Sequence, residues 1–359
     1  MRQHGEVPPD DDSTTRNLRR PPTRSSSRPP DAPPNYGRRR AVLGAAAVSL
    51  VVLAVVAVVV VSGADTAVDD VAEGAANDGI AVDRPVATAV DPSASDSASR
   101  PIHHGYNSDA LYVALYGSIG TDSLGVLGES DAAGAVDRAA LVASDYEGFG
   151  STVVPTFEII ASVASFEAGD DGDHSNESST AALMPWIEAA DDAGFHVVLD
   201  LQSGRQRFPS QITEFETVLL EPHVSVALDP EWRVGPNEVP KGGQIGTVSG
   251  DEVNKTVDYL DRLIEANDLP PKMLIVHQFA DSMISDKTDI RGTDNVQIVI
   301  HMDGFGDLTL KRGTYERVTS DLPPGAVVGW KNFYDEDEPT PTPAETMEND
   351  PVPMFVSFQ

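Results

Sequence analysis

The chain has no cysteine among its 359 residues. That excludes disulfides, cysteine-ligated zinc, a cysteine nucleophile and lipid attachment at an N-terminal cysteine. Lysine is scarce: there are six, and none precedes Lys241. A phosphate loop is absent, because Gly242-Gly243-Gln-Ile-Gly246 is not followed by Gly-Lys-Ser/Thr. That stretch reads instead as a flexible segment, a candidate lid. Positive charge is short overall, and the formal net charge is −32. Residues 1–40 hold nine Arg against five acids, or +4, which leaves −36 for the rest of the chain. A body this acidic repels nucleic acid and anionic lipid surfaces, so no nucleic-acid partner is expected.

Residues 41–62 are an almost unbroken Ala/Val/Leu run without charge. As a helix they would span about 33 Å, enough to cross a bilayer. Arg38, Arg39 and Arg40 precede the run, and Asp65, Asp69, Asp70 and Glu73 follow it. The positive-inside rule then predicts a single-pass transmembrane helix with a cytoplasmic N-terminus and an extracytoplasmic body. The length of the run and of its preface favours an uncleaved anchor over a cleaved signal peptide, for which Ser62-Gly63-Ala64 would be the processing site. Residues 1–40, rich in Pro, Arg, Ser and Asp, read as a disordered cytoplasmic tail, and residues 63–105 as a flexible linker.

Residues 106–359 alternate short apolar runs with helical patterns. Eight strands are predicted: 111–117, 152–166, 196–202, 224–229, 273–279, 296–302, 326–333 and 353–358. The clearest helix, 251–267, carries Val253, Val257, Leu260, Leu263 and Ile264 on one face, with Ser249 or Gly250 as its cap. Further helices are predicted over 132–146 and 183–193, the second closed by Gly194. This is the grammar of an α/β fold of the (β/α)8 TIM-like barrel class, whose sites form at the C-terminal ends of the strands.

Chemistry-bearing residues fall at those ends. Residues two apart on a strand share a face, so Asp200 with Gln202, Asp229 with Glu231, and His301 with Asp303 converge with Glu158 and His277 if those faces point inward. Lys331 and Gln359 close the series. Asp229-Pro230-Glu231-Trp232 is the sharpest local signal. Two carboxyls at one strand end raise each other's proton affinity, so that one becomes an acid while the other stays ionised. Glu231 is the candidate general acid, and Asp229 or Asp200 the stabilising carboxylate or base. Glu158, Gln202, Trp232, His277, His301, Asp303, Lys331 and Gln359 are candidate substrate contacts, Trp232 through a sugar-stacking face. Each has a bland alternative: a hydrogen-bonded network closing the barrel, a turn cap for Asp229 and Glu231, rim packing for Trp232, a salt bridge for Lys331.

A metal reading of His277, His301 and Asp303 is weaker. The His-x-His of barrel metallohydrolases is missing from the end of the first strand, and His103 and His104 precede that strand. No metal or cofactor is expected. Asp170 to Glu177 is not a calcium loop, because the sixth and twelfth positions from Asp171 are Asn176 and Ala182. Arg205 and Arg207 are candidates to clamp an anion, with surface pairing as the alternative.

Asp229-Pro-Glu231 resembles the strand-four Asp-x-Glu of barrel-type muramidases and chitinase-like glycosidases, in which the Glu is the acid. Phe355-Val-Ser-Phe-Gln359 is similar to the aromatic-Gln ending of such muramidases. The first strand departs from them, ending Tyr116-Gly-Ser-Ile-Gly120 without their Asp, and the longer Asp-rich run of chitinases is missing. The series Leu-Asp-Pro-Glu-Trp, Val-His-Gln-Phe and His-Met-Asp-Gly-Phe-Gly, together with the apolar run, looks like that of exported, membrane-anchored barrel proteins of actinobacteria. That likeness implies location and fold, not an activity. The expectation is an extracytoplasmic glycoside-hydrolase-like protein acting on cell-wall or environmental polysaccharide, peptidoglycan included. The alternatives are a tethered carbohydrate-binding barrel without catalysis and a metal-dependent hydrolase.

Overall fold

The computed structural model describes residues 105–359 apart from 151 and 242. The tail, the apolar run at 41–62 and the linker to residue 104 lie outside the described residues. Among those described, no helix is long and apolar enough to cross a membrane.

Eight parallel strands form a closed barrel: β1 (Ala110–Gly117), β2 (Thr152–Ala164), β3 (His196–Leu201), β4 (Val224–Leu228), β5 (Lys272–Gln278), β6 (Val296–Met302), β7 (Val327–Asn332) and β8 (Phe355–Phe358). Each pairs with the next, and β1 pairs with both β2 and β8, which closes the ring. All eight coincide with the predicted runs to within a few residues. Four long helices lie between strands: α1 (Ala132–Ser144), α2 (Thr180–Ala193), α3 (Gly250–Asn267) and α4 (Leu308–Thr319). α3 is held at its start by the Ser249 side chain, which accepts from the Glu252 amide, and it buries the predicted apolar face. Gly194 ends α2 in the left-handed conformation, as expected. A difference appears in β2. Its last residues, Ser162–Ala164, pair antiparallel with Ser175–Glu177, so the acidic stretch of residues 170–177 is part of a hairpin arm.

Period-two alternation sorts the strand residues into two cores. Outward residues pack under the helices, among them Leu115, Phe157, Leu199, Val226, Leu274, Ile300 and Trp330. Inward residues fill the barrel axis with Tyr112, Ala114, Val198, Ala227, Met273, Ile275, Val299 and Phe355. The apolar plug stops one layer below the strand ends. The same inward phase then reaches Tyr116, Glu158, Asp200, Asp229, His277, His301, Lys331 and Ser357, all buried.

The scarce lysines are used inside. Lys272, Lys287, Lys311 and Lys331 are buried. The Lys311 ammonium donates to the Gly304 and Lys331 carbonyls and to Asp337 Oδ2 at 2.9 Å, and lies 5.0 Å from the Trp330 ring centroid. It ties α4 to the segments that follow β6 and β7. Breaking a buried pair leaves one charge uncompensated. Lys311→Met is therefore expected to cost about 3–5 kcal/mol in urea unfolding, with much of the loss recovered when Asp337→Asn is added. An equally unstable double variant would show that the ammonium acts through its carbonyl contacts instead.

Candidate active site at the barrel mouth

The mouth is organised around one imidazole. His277, at the end of β5, meets Glu158 Oε1 of β2 through Nε2 at 3.0 Å and Asp303 Oδ2 through Nδ1 at 3.1 Å. Asp200 Oδ1 lies 3.8 Å from the same Nε2. Lys331 of β7 pairs with the other oxygen of Asp303 at 3.2 Å. Carboxylate, imidazolium, carboxylate and ammonium thus alternate across the lumen from β2 to β7. Tyr116 completes the group: its hydroxyl donates to Asp200 Oδ2 at 2.9 Å, and the Lys331 ammonium sits 3.5 Å from its ring centroid.

Burial opposes a charge on His277, but the hydrogen bonds and charges of Asp303 and Glu158 outweigh it and hold the ring protonated well above the ordinary histidine range. Burial likewise works against the Asp303 carboxylate, yet Lys331 and His277 keep it ionised far below the usual range. Burial drives Asp200 up to about 6, although His277 beside it draws it down. Burial, then the charge of Asp200, pushes Asp229 well above its ordinary value. Burial and the charge of Asp303 push Glu231 up to about 7, against the pull of Lys331 and His277. His301 is driven the opposite way to His277, by burial and by the charge of that neighbouring ring, whose centroid is 4.9 Å away. It stays neutral and shares a 2.9 Å hydrogen bond between Nε2 and Ser357 Oγ. Gly329 is required there, because a Cβ would stand 2.8 Å from His301 Nδ1.

Glu231 is set by the turn Pro230–Trp232 that follows β4. Asp229 caps this turn, accepting from the Glu231 amide at 3.2 Å. The Gly246 amide donates to the Glu231 carbonyl at 2.7 Å, and a Cβ on Gly246 would lie 2.6 Å from that carbonyl oxygen. The candidate lid is therefore pinned under Glu231 at this point.

Of the predicted site residues, Glu158, Asp200, His277, Asp303 and Lys331 meet directly, and Asp229 and Glu231 feel their charges. Gln202 serves the β2 arm, accepting from the Ala164 amide at 3.2 Å. Trp232 and Gln359 are half-buried at the rim. Arg205 donates to the Glu238 carbonyl, and Arg207 pairs with Glu252, which also holds Arg233, so the arginines brace loops. Both nitrogens of His277 already face carboxylates, which leaves it no free lone pair for a metal. Among the described residues no group of three His, Asp or Glu is arranged to hold one. Tyr116 is the residue that sequence reasoning passed over, although it lies two past the inward Ala114. No protein-family model matches the chain, and no curated protein matches it.

The raised carboxyls make stability depend on pH. In the unfolded chain Asp and Glu titrate near about 3.9 and 4.3. In the fold Asp200 and Glu231 keep their protons to about 6 and about 7. Between these values the native state binds more protons than the unfolded state, so stability falls as pH rises. Thermal unfolding from pH 4 to about 7 should show a falling melting temperature, and the fall should be shallower in Asp200→Asn and Glu231→Gln. Equal slopes in the native protein and both variants would remove these two groups as its source.

Proposed function

We propose that the barrel is a glycoside-hydrolase-type enzyme that cleaves polysaccharide by carboxylate acid–base chemistry. We place it outside the cell, tethered through residues 41–62. The observation that carries this reading is the separation of protonation states within one mouth. Glu231 holds its proton to about 7, while Asp303, whose charge helps to keep it there, is ionised throughout. Carboxyls driven apart in this way are what protonation of a leaving oxygen beside a developing positive charge requires.

In this reading Glu231 gives its proton to the glycosidic oxygen as the carbon–oxygen bond breaks and the electron pair goes to that oxygen. Water then bonds to the anomeric carbon, and its proton passes to Asp200. Asp303, fixed from both sides by His277 and Lys331, presents steady negative charge near the oxocarbenium ion. Asp229 sets the turn that carries Glu231. Of the two carboxylates that sequence puts forward as partners, Asp200 keeps a chemical role and Asp229 becomes a positioning group. The occupied nitrogens of His277 disfavour the metal-dependent alternative.

The test is hydrolysis of peptidoglycan and a panel of polysaccharides by the full chain. Glu231→Gln should abolish turnover and leave binding intact. The rate should fall above about pH 7 as Glu231 loses its proton, and below about pH 6 as Asp200 gains one. Binding without turnover by the native protein would point to a tethered carbohydrate-binding barrel, and equal turnover by Glu231→Gln would remove that residue as the acid.

A further inference from the structure

Four aromatic side chains stand exposed among the described residues: Phe149, Phe166, Phe305 and Tyr334. Phe149 lies between α1 and β2, at the far end of the barrel. The other three follow β2, β6 and β7, at the same end as Glu231. Phe305 is the best placed. It comes two residues after Asp303 and is 57 % exposed. Its inner side packs on Phe333 at 5.8 Å between centroids, nearly edge to face. Phe333 is buried and comes two residues after Lys331, whose ammonium lies 5.2 Å from its centroid. Two aromatic rings in contact therefore lead from solvent to the Lys331–Asp303 pair. Tyr334 stands beside it in sequence, stacked on Phe358 at 5.5 Å.

An apolar ring held in water at the edge of an acidic mouth is poorly placed for stability and well placed for a ligand. Pyranose rings have apolar C–H faces that lie flat on aromatic rings, and a ring anchored from below meets them with little loss of side-chain freedom. The surroundings narrow the choice of sugar. Asp307, Asp335 and Glu336 are exposed on the same two segments, so a glycan bearing carboxylates or sulfates would be repelled there.

We propose that Phe305 is the stacking platform of a subsite for an uncharged pyranose, so that the barrel takes neutral glycan chains and rejects polyanionic ones. This rests on the glycoside-hydrolase reading. The test uses the full chain carrying Glu231→Gln, titrated by calorimetry with cellohexaose, N-acetylchitohexaose and hexagalacturonate. At least one uncharged hexasaccharide should bind, and hexagalacturonate about tenfold or more weaker. Adding Phe305→Ala should weaken the uncharged ligand about tenfold, Phe305→Trp should retain it, and Phe149→Ala should change nothing. An unaltered affinity in Phe305→Ala at unchanged melting temperature, or hexagalacturonate bound as tightly as the others, would overturn the proposal. Failure of both uncharged ligands to bind would overturn it too. Hydrolysis of a polysaccharide by the native chain would then show that the enzymatic reading survives alone, and no hydrolysis that both fall.

Discussion

The His277 imidazolium is the interaction on which the mouth depends. It is wholly buried, and it binds the carboxylates of Glu158 on β2 and of Asp303, the residue after β6. Removing such a cation from water is costly, and only close, well-oriented anions offset that cost. Its two ring nitrogens point in opposite directions, so one ring can hold two anions that would otherwise repel. The pairing fixes more than the ring. It keeps Asp303 ionised, and Asp303 in turn raises the proton affinity of Glu231. It also leaves His301, one strand away in register, unable to carry a second positive charge. Two histidines side by side therefore hold opposite states, and the neutral one is free to bond Ser357 and pack against Gly329.

The same economy governs the other cations. In a chain with a net charge of −32, surface lysines would be the simplest counterweight, yet four of the six are buried. Lys272 donates to the Glu221 and Val224 carbonyls at the base of the barrel, Lys287 to the Val318 carbonyl, and Lys311 to those of Gly304 and Lys331. Each donates to carbonyls in loops, at strand ends or in the last turn of α4. The surface keeps its acid excess, and the interior uses lysines as cross-links between segments of the chain. The Lys311 link matters most to the site, because it fixes the segments bearing Asp303, Phe305 and Phe333.

Most of the barrel was legible in the sequence because its signals are local. Eight apolar runs, the amphipathic face of α3, Gly194 and the Ser249 cap each follow from a few neighbouring residues, and all were found in place. The inward phase was legible too, since Val198 with Asp200 and Val299 with His301 obey period two. What escaped depends on partners far apart in the chain. Nothing local reveals that Glu158 and His277, 119 residues apart, share a hydrogen bond. Tyr116 was missed because a tyrosine ending an apolar run reads as core, and only the position of Asp200 gives its hydroxyl a partner in the mouth. Gln202 went the other way. It shares the face of Asp200, but the bulge between Ile160 and Ser162 brings the β2 arm over it, and its amide is taken up there.

The apolar plug explains why the polar layer can exist at all. Tyr112, Met273, Ile275 and Phe355 fill the axis just below it, so water cannot reach the charges from beneath. In that setting each charge is felt strongly by its neighbours, and small differences of place decide protonation. Asp303, next to two cations, keeps its charge. Asp200 stands a little farther from His277, and burial raises it to about 6 although His277 and the Tyr116 hydroxyl both draw it down. Glu231 lies on the turn beyond the strand end, where it feels Asp303 more than either cation, and it gives up its charge about one pH unit higher. Burial works to raise all three carboxyls, and only at Asp303 do the adjoining imidazole and ammonium outweigh it. That balance leaves Glu231 protonated up to about pH 7 while Asp303 keeps its charge.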